Sequence, residues 1–474
     1  MSTRYDLVVI GGGSAGLLAA PLAAKLGVRV ALTERDQPGG DCLFTGCVPS
    51  KTLLRVAKAA HEMRQAERLG LTAAAPAVDM ARVSAHVQEV IQRVGEHESV
   101  DTLREAGIDV ILGAARFVDA HTVQVGGRLV RGRRFLICTG ARPAEPSIPG
   151  LRETPHLSYH DLFSLTTLPA RLLVIGGGPV GVEMSQAFGR LGARVTLVQR
   201  GPRLLPSADP DCAAMLADVL RAEGIDVRLG TAVERAERCG GEFVLTVGGG
   251  QLVGDALLVA NGRAPVVDGL GLERAGVVHS ARGIPVDAHL RTNQPHIFAC
   301  GDVLGGEQFT HLAAIQAYQA TRNALLPGAM SANLDGTPWT IFTDPEVARA
   351  GLTEAEARAH YGRDAHAYTL PLSRVDRAQT DDDLHGLVKL VYRGHGKLLG
   401  AHIVAARAGE MIQEAIGALE RGGTLAQLAG TIHVYPTYSV ALQQAASYAL
   451  EQRYLGGRLG RLVRGGVRLL SRLS

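Results

Sequence analysis

Residues 6–35 read DLVVIGGGSAGLLAAPLAAKLGVRVALTER, and residues 171–200 read RLLVIGGGPVGVEMSQAFGRLGARVTLVQR. Each segment is an apolar strand, a GxGxxG turn, a helix and a second apolar strand, with the same internal spacing. In such a turn the first glycine allows the tight bend, the second lets the backbone approach a pyrophosphate, and the third lets the helix pack on the strand. One copy would be weak support, but two aligned copies predict an α/β chain with two Rossmann-like dinucleotide-binding domains. The residues expected around the two pyrophosphates are Gly11, Gly13, Ser14, Ala15 and Gly16 in the first copy, and Gly176, Gly178, Pro179, Val180 and Gly181 in the second.

The two copies differ at the position that reads the ribose, 23 residues after the first glycine of each turn. Glu34 occupies it in the first copy, and a carboxylate there accepts hydrogen bonds from a ribose diol, which suits FAD. Gln199 occupies it in the second copy, with Arg200 and Arg203 close behind. Guanidinium groups attract a 2′-phosphate that a carboxylate would repel, so the second site predicts NADPH rather than NADH. The alternative is that both arginines are solvated surface charges.

The composition limits the class of protein. A chain of 474 residues, 46% hydrophobic and 20% charged, is long enough for about three globular domains. The net charge of +3 does not point to nucleic acid, and no apolar run approaches the ~18 residues of a membrane-spanning helix. The amino end runs directly into a strand, without a secretory signal, and the six cysteines include no CxxC pair. These features predict a cytoplasmic protein without a structural metal site.

The remaining segments can be placed more coarsely. Residues 50–112 show helical periodicity, and apolar strands that end in glycine turns are expected at 135–140, 257–262 and 297–302. From about residue 338, alternating strands are followed by helices, with no phosphate-binding turn. This last region is therefore predicted to be an α+β interface domain.

Residues 39–51 read GGDCLFTGCVPSK and place Cys42 and Cys47 directly after the first nucleotide unit. Two isolated cysteines at this spacing are more often inert buried thiols, but a dithiol beside a redox cofactor can pass on two electrons. A helix starting near Pro49 would point its positive end at Cys47 and favour the thiolate. Cys42 and Cys47 are therefore predicted to be a redox pair. The other cysteines have no partner at a useful spacing and are predicted to be packing residues: Cys138, Cys212, Cys239 and Cys300.

Together these motifs resemble the FAD-dependent pyridine nucleotide-disulfide oxidoreductases, which include dihydrolipoamide dehydrogenase, glutathione reductase and mercuric reductase. The resemblance runs from Asp6 to about Tyr448. Its motifs are GGxCxxxGCxPSK at 39–51, GGGxxGxE at 176–183, GD at 301–302, FTDPE at 342–346 and YPT at 435–437. It implies a homodimer, because the active site of this family lies between two subunits. The implied domains are an FAD domain at 1–147 and 267–336, a NAD(P)H domain at 148–266 and a dimerisation domain at 337–450, followed by a basic amphipathic tail at 451–474.

The resemblance also assigns roles to individual residues. Cys47 would form the charge-transfer thiolate against the flavin, and Cys42 would exchange with the substrate. Lys51 and Glu183 would form an ion pair beside the flavin, although they could instead be ordinary helix charges. Asp302, at the end of its strand, would hold a polyol of the cofactor. Further cofactor contacts are expected at Gly40, Ala115, Thr139, Gly140, Gly262 and His311.

The chain departs from the disulfide reductases where they carry a histidine paired with a glutamate five residues later. Tyr435 and Val440 stand at those positions. A phenol with a pKa near ~10 is a poor base at neutral pH, and valine cannot orient a base. His433 is either a substitute base or a structural hydrogen-bonding residue. Tyrosine here is similar to mercuric reductase, yet no amino-terminal metal-binding domain is expected and no cysteine follows Cys300 to hand over Hg²⁺.

The tail from residue 451 lies outside the resemblance. Its apolar and basic residues fall on largely opposite helical faces, which would suit weak contact with an anionic membrane surface. Five glycines weaken such a helix, so a frayed tail or a dimer-packing segment is the preferred interpretation. The apolar positions are Leu455, Leu459, Leu462, Val463, Val467, Leu470 and Leu473, and the basic ones are Arg461, Arg464, Arg468 and Arg472.

The sequence therefore predicts an NAD(P)H-dependent FAD oxidoreductase of the mercuric-reductase-like branch. Electrons would pass from NADPH through FAD to Cys42–Cys47, and then to an acceptor that needs little proton chemistry: a metal ion, a quinone or a small disulfide. One alternative is a dithiol enzyme of the dihydrolipoamide dehydrogenase or glutathione reductase type, against which Tyr435 and Val440 argue. Another is a membrane-associated redox-sensing flavoprotein that docks through its tail.

Overall fold

The computed structural model describes residues 4–72, 74, 76–332 and 336–471. Strands and helices alternate through the earlier part of the chain, and an antiparallel sheet with helices follows. The helices are α1 (Ser14–Lys25), α2 (Gly40–Phe44), α3 (Cys47–Gln65), α4 (Met80–Gly95), α5 (Val100–Glu105), α6 (Pro179–Leu191), α7 (Pro210–Ala222), α8 (Thr310–Leu325), α9 (Glu354–Tyr361), α10 (Asp376–Thr380), α11 (Ala408–Glu420), α12 (Leu425–Gly430), α13 (Val440–Leu455) and α14 (Gly457–Leu470).

The strands are short, as is usual for a mixed α/β chain. They are β1 (Arg4–Ile10), β2 (Val30–Glu34), β3 (Asp109–Leu112), β4 (Ala115–Asp119), β5 (Thr122–Val125), β6 (Arg128–Ile137), β7 (Ala141–Pro143), β8 (Arg171–Ile175), β9 (Arg194–Val198), β10 (Asp226–Arg228), β11 (Val233–Cys239), β12 (Glu242–Val247), β13 (Gly250–Gly254), β14 (Ala256–Val259), β15 (Arg263–Pro265), β16 (Ile297–Ala299), β17 (Trp339–Ile341), β18 (Glu346–Gly351), β19 (Ala365–Pro371), β20 (Leu387–Arg393) and β21 (Lys397–Ala405).

The chain forms two compact units, each assembled from several segments. The first unit comprises Met1–Gly176, Arg190–Arg194 and Val233–Asp335. The second comprises Gly177–Gly189, Val195–Ala232 and Gly336–Ser474.

The parallel sheet of the first glycine turn lies in the first unit. β1 pairs with β2 on one side and β6 on the other, and β3 and β16 extend the sheet next to β2 and β6. Leu7 and Val9 on β1 pack with α1 and α8, whereas Val8 and Ile10 pack in the core on the opposite face. Because both faces are covered, β1 is apolar at every position along its second half. The turns that follow β1, β6 and β16 therefore meet at one edge of the sheet.

Several sequence expectations for this unit are confirmed. The strands expected at 135–140, 257–262 and 297–302 are the end of β6, β14 and β16, and the helical region contains α3, α4 and α5 before β3. β14 pairs in parallel with β8. β11, β12 and β13 form an antiparallel sheet, and β15 pairs with β7.

The second unit contains the α+β segment expected from residue 338. β17, β18, β21, β20 and β19 form an antiparallel sheet in that order. α11 and α13 contribute residues such as Met411 and Leu442 to the core on this sheet. Thr353 and Thr424 begin α9 and α12 with capping boxes, which satisfy backbone N–H groups at each helix start.

Lys389 on β20 is buried, with only 3% of its surface exposed, and is surrounded by three carboxylates. Its Nζ lies 3.0 Å from Asp209, 2.8 Å from Asp211 and 2.8 Å from Glu354. Burial lowers the pKa of Lys389, but the hydrogen bonds to these carboxylates outweigh that effect and raise it above its ordinary value. This ionic cluster joins the start of α7, the start of α9 and β20 within the second unit.

The tail forms a helix. α14 is helical in spite of its glycines, so the frayed-tail alternative is wrong for these residues. Leu462 and Val467 are exposed, and Arg464 donates a hydrogen bond to the last carbonyl of α13 (2.7 Å). Leu473 and Arg472 lie outside the described residues. Among the helices that the structure describes, none is both long and apolar enough to cross a bilayer.

Candidate active site

The two predicted redox cysteines lie on adjoining helices. Cys42 is in the middle of α2, and Cys47 is the first residue of α3, two positions before Pro49. Gly46 permits the reversal between the helices, because a Cβ there would lie 2.7 Å from the carbonyl oxygen of Asp41. The two cysteine side chains contact each other as thiols. The short loop therefore holds a dithiol.

The surroundings of the two thiols differ. Cys47 sits at a helix amino terminus, where the helix dipole favours a thiolate. Its sulfur lies 3.3 Å from the hydroxyl oxygen of Thr310, the first residue of α8. Contact with Cys47, together with burial, raises the pKa of Cys42 well above its usual range, and the hydroxyls of Thr310 and Ser14 offset this only in part. In the reduced pair the raised pKa of Cys42 keeps the proton on that thiol at neutral pH, whereas the start of α3 favours a thiolate at Cys47.

An ionic network lies directly beside Cys42. Asp41 accepts hydrogen bonds from the hydroxyl of Tyr159 (2.9 Å) and from Arg263. Arg263 also lies 2.7 Å from Asp302, so it joins the residue before the first cysteine to the aspartate expected at FAD. Burial raises the pKa of Asp302, and the charge of Arg263 opposes this rise. The sequence motifs do not include Asp41, Tyr159 or Arg263, although Asp41 and Arg263 each stand next to a motif residue.

The first glycine turn has the shape that an FAD pyrophosphate needs. A Cβ at Gly11 would lie 2.4 Å from a backbone carbonyl oxygen, and a Cβ at Gly16 would lie 1.9 Å from another, so neither position admits a side chain. At Gly13 the nearest atom to a Cβ would be 3.8 Å away, which leaves this backbone open to a ligand. The carboxylate of Glu34 accepts a hydrogen bond from the N–H of Gly12 (2.6 Å) and is held at the turn. These residues fit FAD.

Three further predicted residues connect this turn to its surroundings. α1 begins at Ser14, whose hydroxyl interacts with Cys42. Gly40 packs tightly on the turn, because a Cβ there would lie 2.7 Å from the Cα of Gly13. Ala15 packs in the core beneath the turn. The redox loop and the first nucleotide turn are therefore in direct contact.

Five other predicted residues occupy strand ends or a helix start of the same unit. The hydroxyl of Thr139 donates to a backbone carbonyl (2.7 Å), and Gly140 and Gly262 have φ values of +70° and +102°, which favour glycine. His311 is the second residue of α8 and stacks on Phe309 with ring centroids 5.4 Å apart. Ala115 begins β4 and packs against the core on the sheet face opposite α1, away from Ala15.

The second glycine turn resembles the first. Gln199, directly after β9, accepts a hydrogen bond from the N–H of Gly177 (3.0 Å), the arrangement that Glu34 has in the first copy. A Cβ at Gly178 would have no atom within 4 Å, so the backbone is open there too. Gly176 has a φ of +110°, and α6 begins with Pro179, Val180 and Gly181.

The two arginines after β9 have different surroundings. The guanidinium of Arg203 donates to the carbonyl of Pro206 (2.9 Å), which ties it to its own loop. Arg200 is exposed beside Gln199.

The predicted pair Lys51 and Glu183 falls on α3 of the first unit and α6 of the second. Glu183 is buried, and its carboxylate accepts from the N–H of Phe342 (2.9 Å). Gln186, one turn further along α6, bonds both the N–H and the carbonyl of Asp344 (2.7 Å each). α6 is therefore fastened to the FTDPE segment, and the ion pair of Lys51 with Glu183 stays a prediction.

Tyr435 does not have the surroundings of a base. Its side chain is 67% exposed, and its hydroxyl donates to Asp376 (2.8 Å). This carboxylate raises the pKa of Tyr435 above its ordinary value. The phenol therefore keeps its proton at neutral pH.

His433 is held on both sides. Its side chain is 7% exposed, Nε2 lies 2.8 Å from a carboxylate oxygen of Glu414, and Nδ1 lies 2.9 Å from the carbonyl oxygen of Thr431. Both ring nitrogens therefore face acceptors within the chain. No local pattern connects Glu414 to His433, because Glu414 lies 19 residues earlier, on α11.

Comparison with known proteins identifies the family. Residues 5–320 match the pyridine nucleotide-disulphide oxidoreductase family, and residues 337–446 match the dimerisation domain of that family. The chain belongs to this family. It is an NAD(P)H-dependent, FAD-containing disulfide oxidoreductase with a dimerisation domain, and the predicted fold class is confirmed.

Several relatives match over most of the chain. Mercuric reductase from Streptomyces lividans is 39% identical over 461 residues, covering 94% of this chain and 96% of the relative. Dihydrolipoyl dehydrogenase from Thermus scotoductus is 38% identical over 451 residues, covering 93% and 96%. Among solved structures, the HOCl-induced flavoprotein disulfide reductase RclA from Escherichia coli has a TM-score of 0.85 and 32% identity, covering 94% of this chain and 99% of RclA. Relatives with different names match equally well, so these similarities do not identify the acceptor.

Proposed function

We propose that this enzyme passes electrons from NADPH through FAD to the Cys42–Cys47 pair, and from there to an acceptor whose reduction needs little proton chemistry. A metal ion is the preferred acceptor, followed by a quinone and a small disulfide. The observation that carries the proposal is that Tyr435, which stands where the disulfide reductases carry a histidine, is hydrogen-bonded to Asp376 and keeps its proton.

The dithiol and its surroundings supply the reductive step. The first glycine turn and Glu34 would hold FAD, which would supply the transfer of two electrons from the nicotinamide to the disulfide. Breaking the sulfur–sulfur bond leaves a protonated Cys42 and a thiolate on Cys47, which is the distribution that burial and the start of α3 favour. Adjacent sulfur atoms are soft ligands and suit a thiophilic metal ion.

The surroundings of Tyr435 support a metal ion over a disulfide. Release of a substrate thiol requires a positioned acid, whereas reduction of a metal ion does not. The hydroxyl of Tyr435 donates a hydrogen bond to Asp376, which raises the pKa of the phenol and makes it a poor acid for this step. The similarity to mercuric reductases agrees with this preference, and RclA has been solved as a Cu(II) complex.

The second nucleotide site supports NADPH. Gln199 places an amide where Glu34 places a carboxylate, so a 2′-phosphate meets no negative charge there. Arg200 is exposed next to this amide and supplies a positive charge. NADH is the alternative, and the ratio of kcat/KM values for the two nucleotides decides between them.

Spectroscopy of single-cysteine variants tests the roles of the two thiols. On anaerobic reduction by NADPH, Cys42→Ser should keep or strengthen a long-wavelength thiolate-to-flavin absorption band, and Cys47→Ser should abolish it. Cys239→Ser is the matched control, because Cys239 is exposed on β11 and should leave the band unchanged. The opposite pattern in the first two variants would show that the roles are reversed.

Reoxidation kinetics test the acceptor. The NADPH-reduced enzyme should be reoxidised faster by Hg²⁺, Cu²⁺ or benzoquinone than by lipoamide or glutathione disulfide. Faster reoxidation by lipoamide would instead support an enzyme of the dihydrolipoamide dehydrogenase type. The His433–Glu414 pair is the observation that favours this second candidate. In that case Glu414→Gln should slow lipoamide reduction and leave the reduction of the enzyme by NADPH unchanged.

The remaining proposals concern assembly and place in the cell. The dimerisation domain supports a homodimer, and Ile432 and Val434 in this domain are largely exposed in the single chain. We place the enzyme in the cytoplasm, where thiols stay reduced. Weak contact of α14 with an anionic membrane is a further proposal. Vesicle sedimentation with the full chain and with a chain ending at residue 451 tests it, and equal sedimentation of both would refute it.

A further inference from the structure

Two buried cysteines outside the redox loop lie side by side. β6 and β16 pair in parallel, with Ala299 opposite Ile137. The next residues along the two strands are Cys300 and Cys138, and their sulfur atoms lie 3.5 Å apart. Because the two cysteines are 162 positions apart in the chain, their spacing indicates no pairing and predicts two separate packing residues.

The pair lies in the apolar core between the sheet and helices α1 and α8. Cys138 is 6% exposed and Cys300 is fully buried. Ala15 and Ala313 belong to the same apolar cluster. Burial, together with contact with Cys300, raises the pKa of Cys138, so this thiol is protonated at neutral pH.

The pair also lies beneath the first glycine turn. The N–H of Cys138 donates to the carbonyl of Ile10 (2.7 Å), and a Cβ at Gly11 would lie 2.4 Å from the carbonyl oxygen of Cys138. Thr139 follows Cys138, and Asp302 lies two residues after Cys300. A bond between the two sulfurs would therefore join two strand ends that carry residues expected at FAD.

We propose that Cys138 and Cys300 form a second redox-active dithiol, which a peroxide oxidises to a disulfide that links β6 to β16 beneath the first glycine turn. A disulfide has a sulfur–sulfur distance of about 2.05 Å, so sulfurs 3.5 Å apart need to approach by only about 1.5 Å. Adjacent strands lie about 4.8 Å apart, within the Cα separation that a disulfide spans. Side-chain rotation therefore closes the gap without separating the strands.

The reaction consumes one peroxide for each disulfide. The sulfur of Cys138, the more exposed of the two, attacks the peroxide and breaks the oxygen–oxygen bond, which forms a sulfenic acid and releases water. The sulfur of Cys300 then attacks this sulfur, forms the sulfur–sulfur bond and expels the hydroxyl group, which leaves as a second water with the remaining thiol proton. Because the first step needs a thiolate, oxidation is slow at neutral pH and accelerates as the pH rises.

Peptide mapping of the unmutated, FAD-loaded enzyme tests the disulfide. After peroxide treatment and acid denaturation, the remaining thiols are alkylated and the chain is digested without reductant. We expect a linked peptide pair that contains Cys138 and Cys300. Cys212 is the matched control, because it is equally buried on α7, and it should stay alkylatable. Full alkylation of Cys138 and Cys300, or their conversion to sulfonic acids without a linked pair, would overturn the proposal.

Flavin release tests whether the disulfide stabilises the FAD site. After peroxide treatment, the unmutated enzyme and Cys212→Ala should lose FAD on heating about tenfold more slowly than before, because a cross-link that closes a long loop stabilises the folded state. Cys300→Ala cannot form the link and should show no such change. An equal slowing of FAD release in Cys300→Ala would show that other thiols cause it. That result would overturn the stabilising role of the Cys138–Cys300 disulfide. The mapping experiment needs no variant, so the disulfide stays testable if Cys300→Ala fails to fold.

Discussion

Replacement of Arg263 by methionine should weaken both the redox loop and the FAD site. The guanidinium of Arg263 contacts Asp41, beside Cys42, and lies 2.7 Å from Asp302. Methionine preserves most of the apolar stem but removes the positive charge. Two partly buried carboxylates would then lie close together without the cation that separates them.

The size of the effect follows from burial. Removing one partner of a buried ion pair costs about 3–5 kcal/mol. The side chains of Arg263, Asp41 and Asp302 are 23%, 31% and 15% exposed, so solvent screening favours the lower end, about 3 kcal/mol. For a unit of this size, each 1 kcal/mol lowers the melting temperature by about 2 °C, which gives a decrease of about 6 °C.

Thermal unfolding with flavin fluorescence measures stability and FAD release together. Arg142→Met is the matched control, because Arg142 pairs with Asp268 at 2.8 Å but the two side chains are 52% and 78% exposed. Such a surface pair contributes at most about 1 kcal/mol, so the control should melt within about 2 °C of the unmutated enzyme. If Arg263→Met had the same melting temperature and the same FAD release as Arg142→Met, the ionic network of Arg263 with Asp41 and Asp302 would have no role at the site.

Four further outcomes are expected. Lys389→Met should lower the free energy of unfolding by about 3–5 kcal/mol, measured by denaturant titration against Lys397→Met on the surface. The same cluster should make the free energy of unfolding depend on pH. Asp209 and Glu354 have lowered pKa values, so their contribution to stability is lost as the pH falls through those values. Lys389 has a raised pKa, so its contribution to stability is lost as the pH rises above about 10.4. Arg200→Glu should shift the kcat/KM preference from NADPH towards NADH, and equal use of both nucleotides by the unmutated enzyme would refute this reasoning. Turnover of lipoamide should be ~100–10,000-fold slower than in an enzyme that has the histidine–glutamate pair, because general acid–base catalysis supplies a factor of that size. Turnover of lipoamide at hundreds per second, within the ordinary enzyme range of ~1–1,000 per second, would contradict this prediction.

The nucleotide units could be predicted from the sequence because their signals are local. Gly11 and Gly16 contact backbone atoms that the chain cannot move, so only glycine fits there and the pattern is visible along the chain. Cys42 and Cys47 are joined by a short turn, and the start of α3 follows directly from that stretch. The helical tail could be predicted from the sequence only in part. Its glycines have low helix propensity and disfavour a helix, but α14 forms nonetheless.

The sequence by itself determined two nucleotide turns, a dithiol beside the first of them, and an interface domain without a phosphate-binding turn. Only the tertiary structure brought Arg263 to Asp41 and Asp302, and Glu414 to His433. It also set the register of β6 and β16 that places Cys138 against Cys300. The physical reason is that helix and strand periods relate residues only a few positions apart. Contacts between distant segments depend on which strands pair, and in which register, and no local period records that choice.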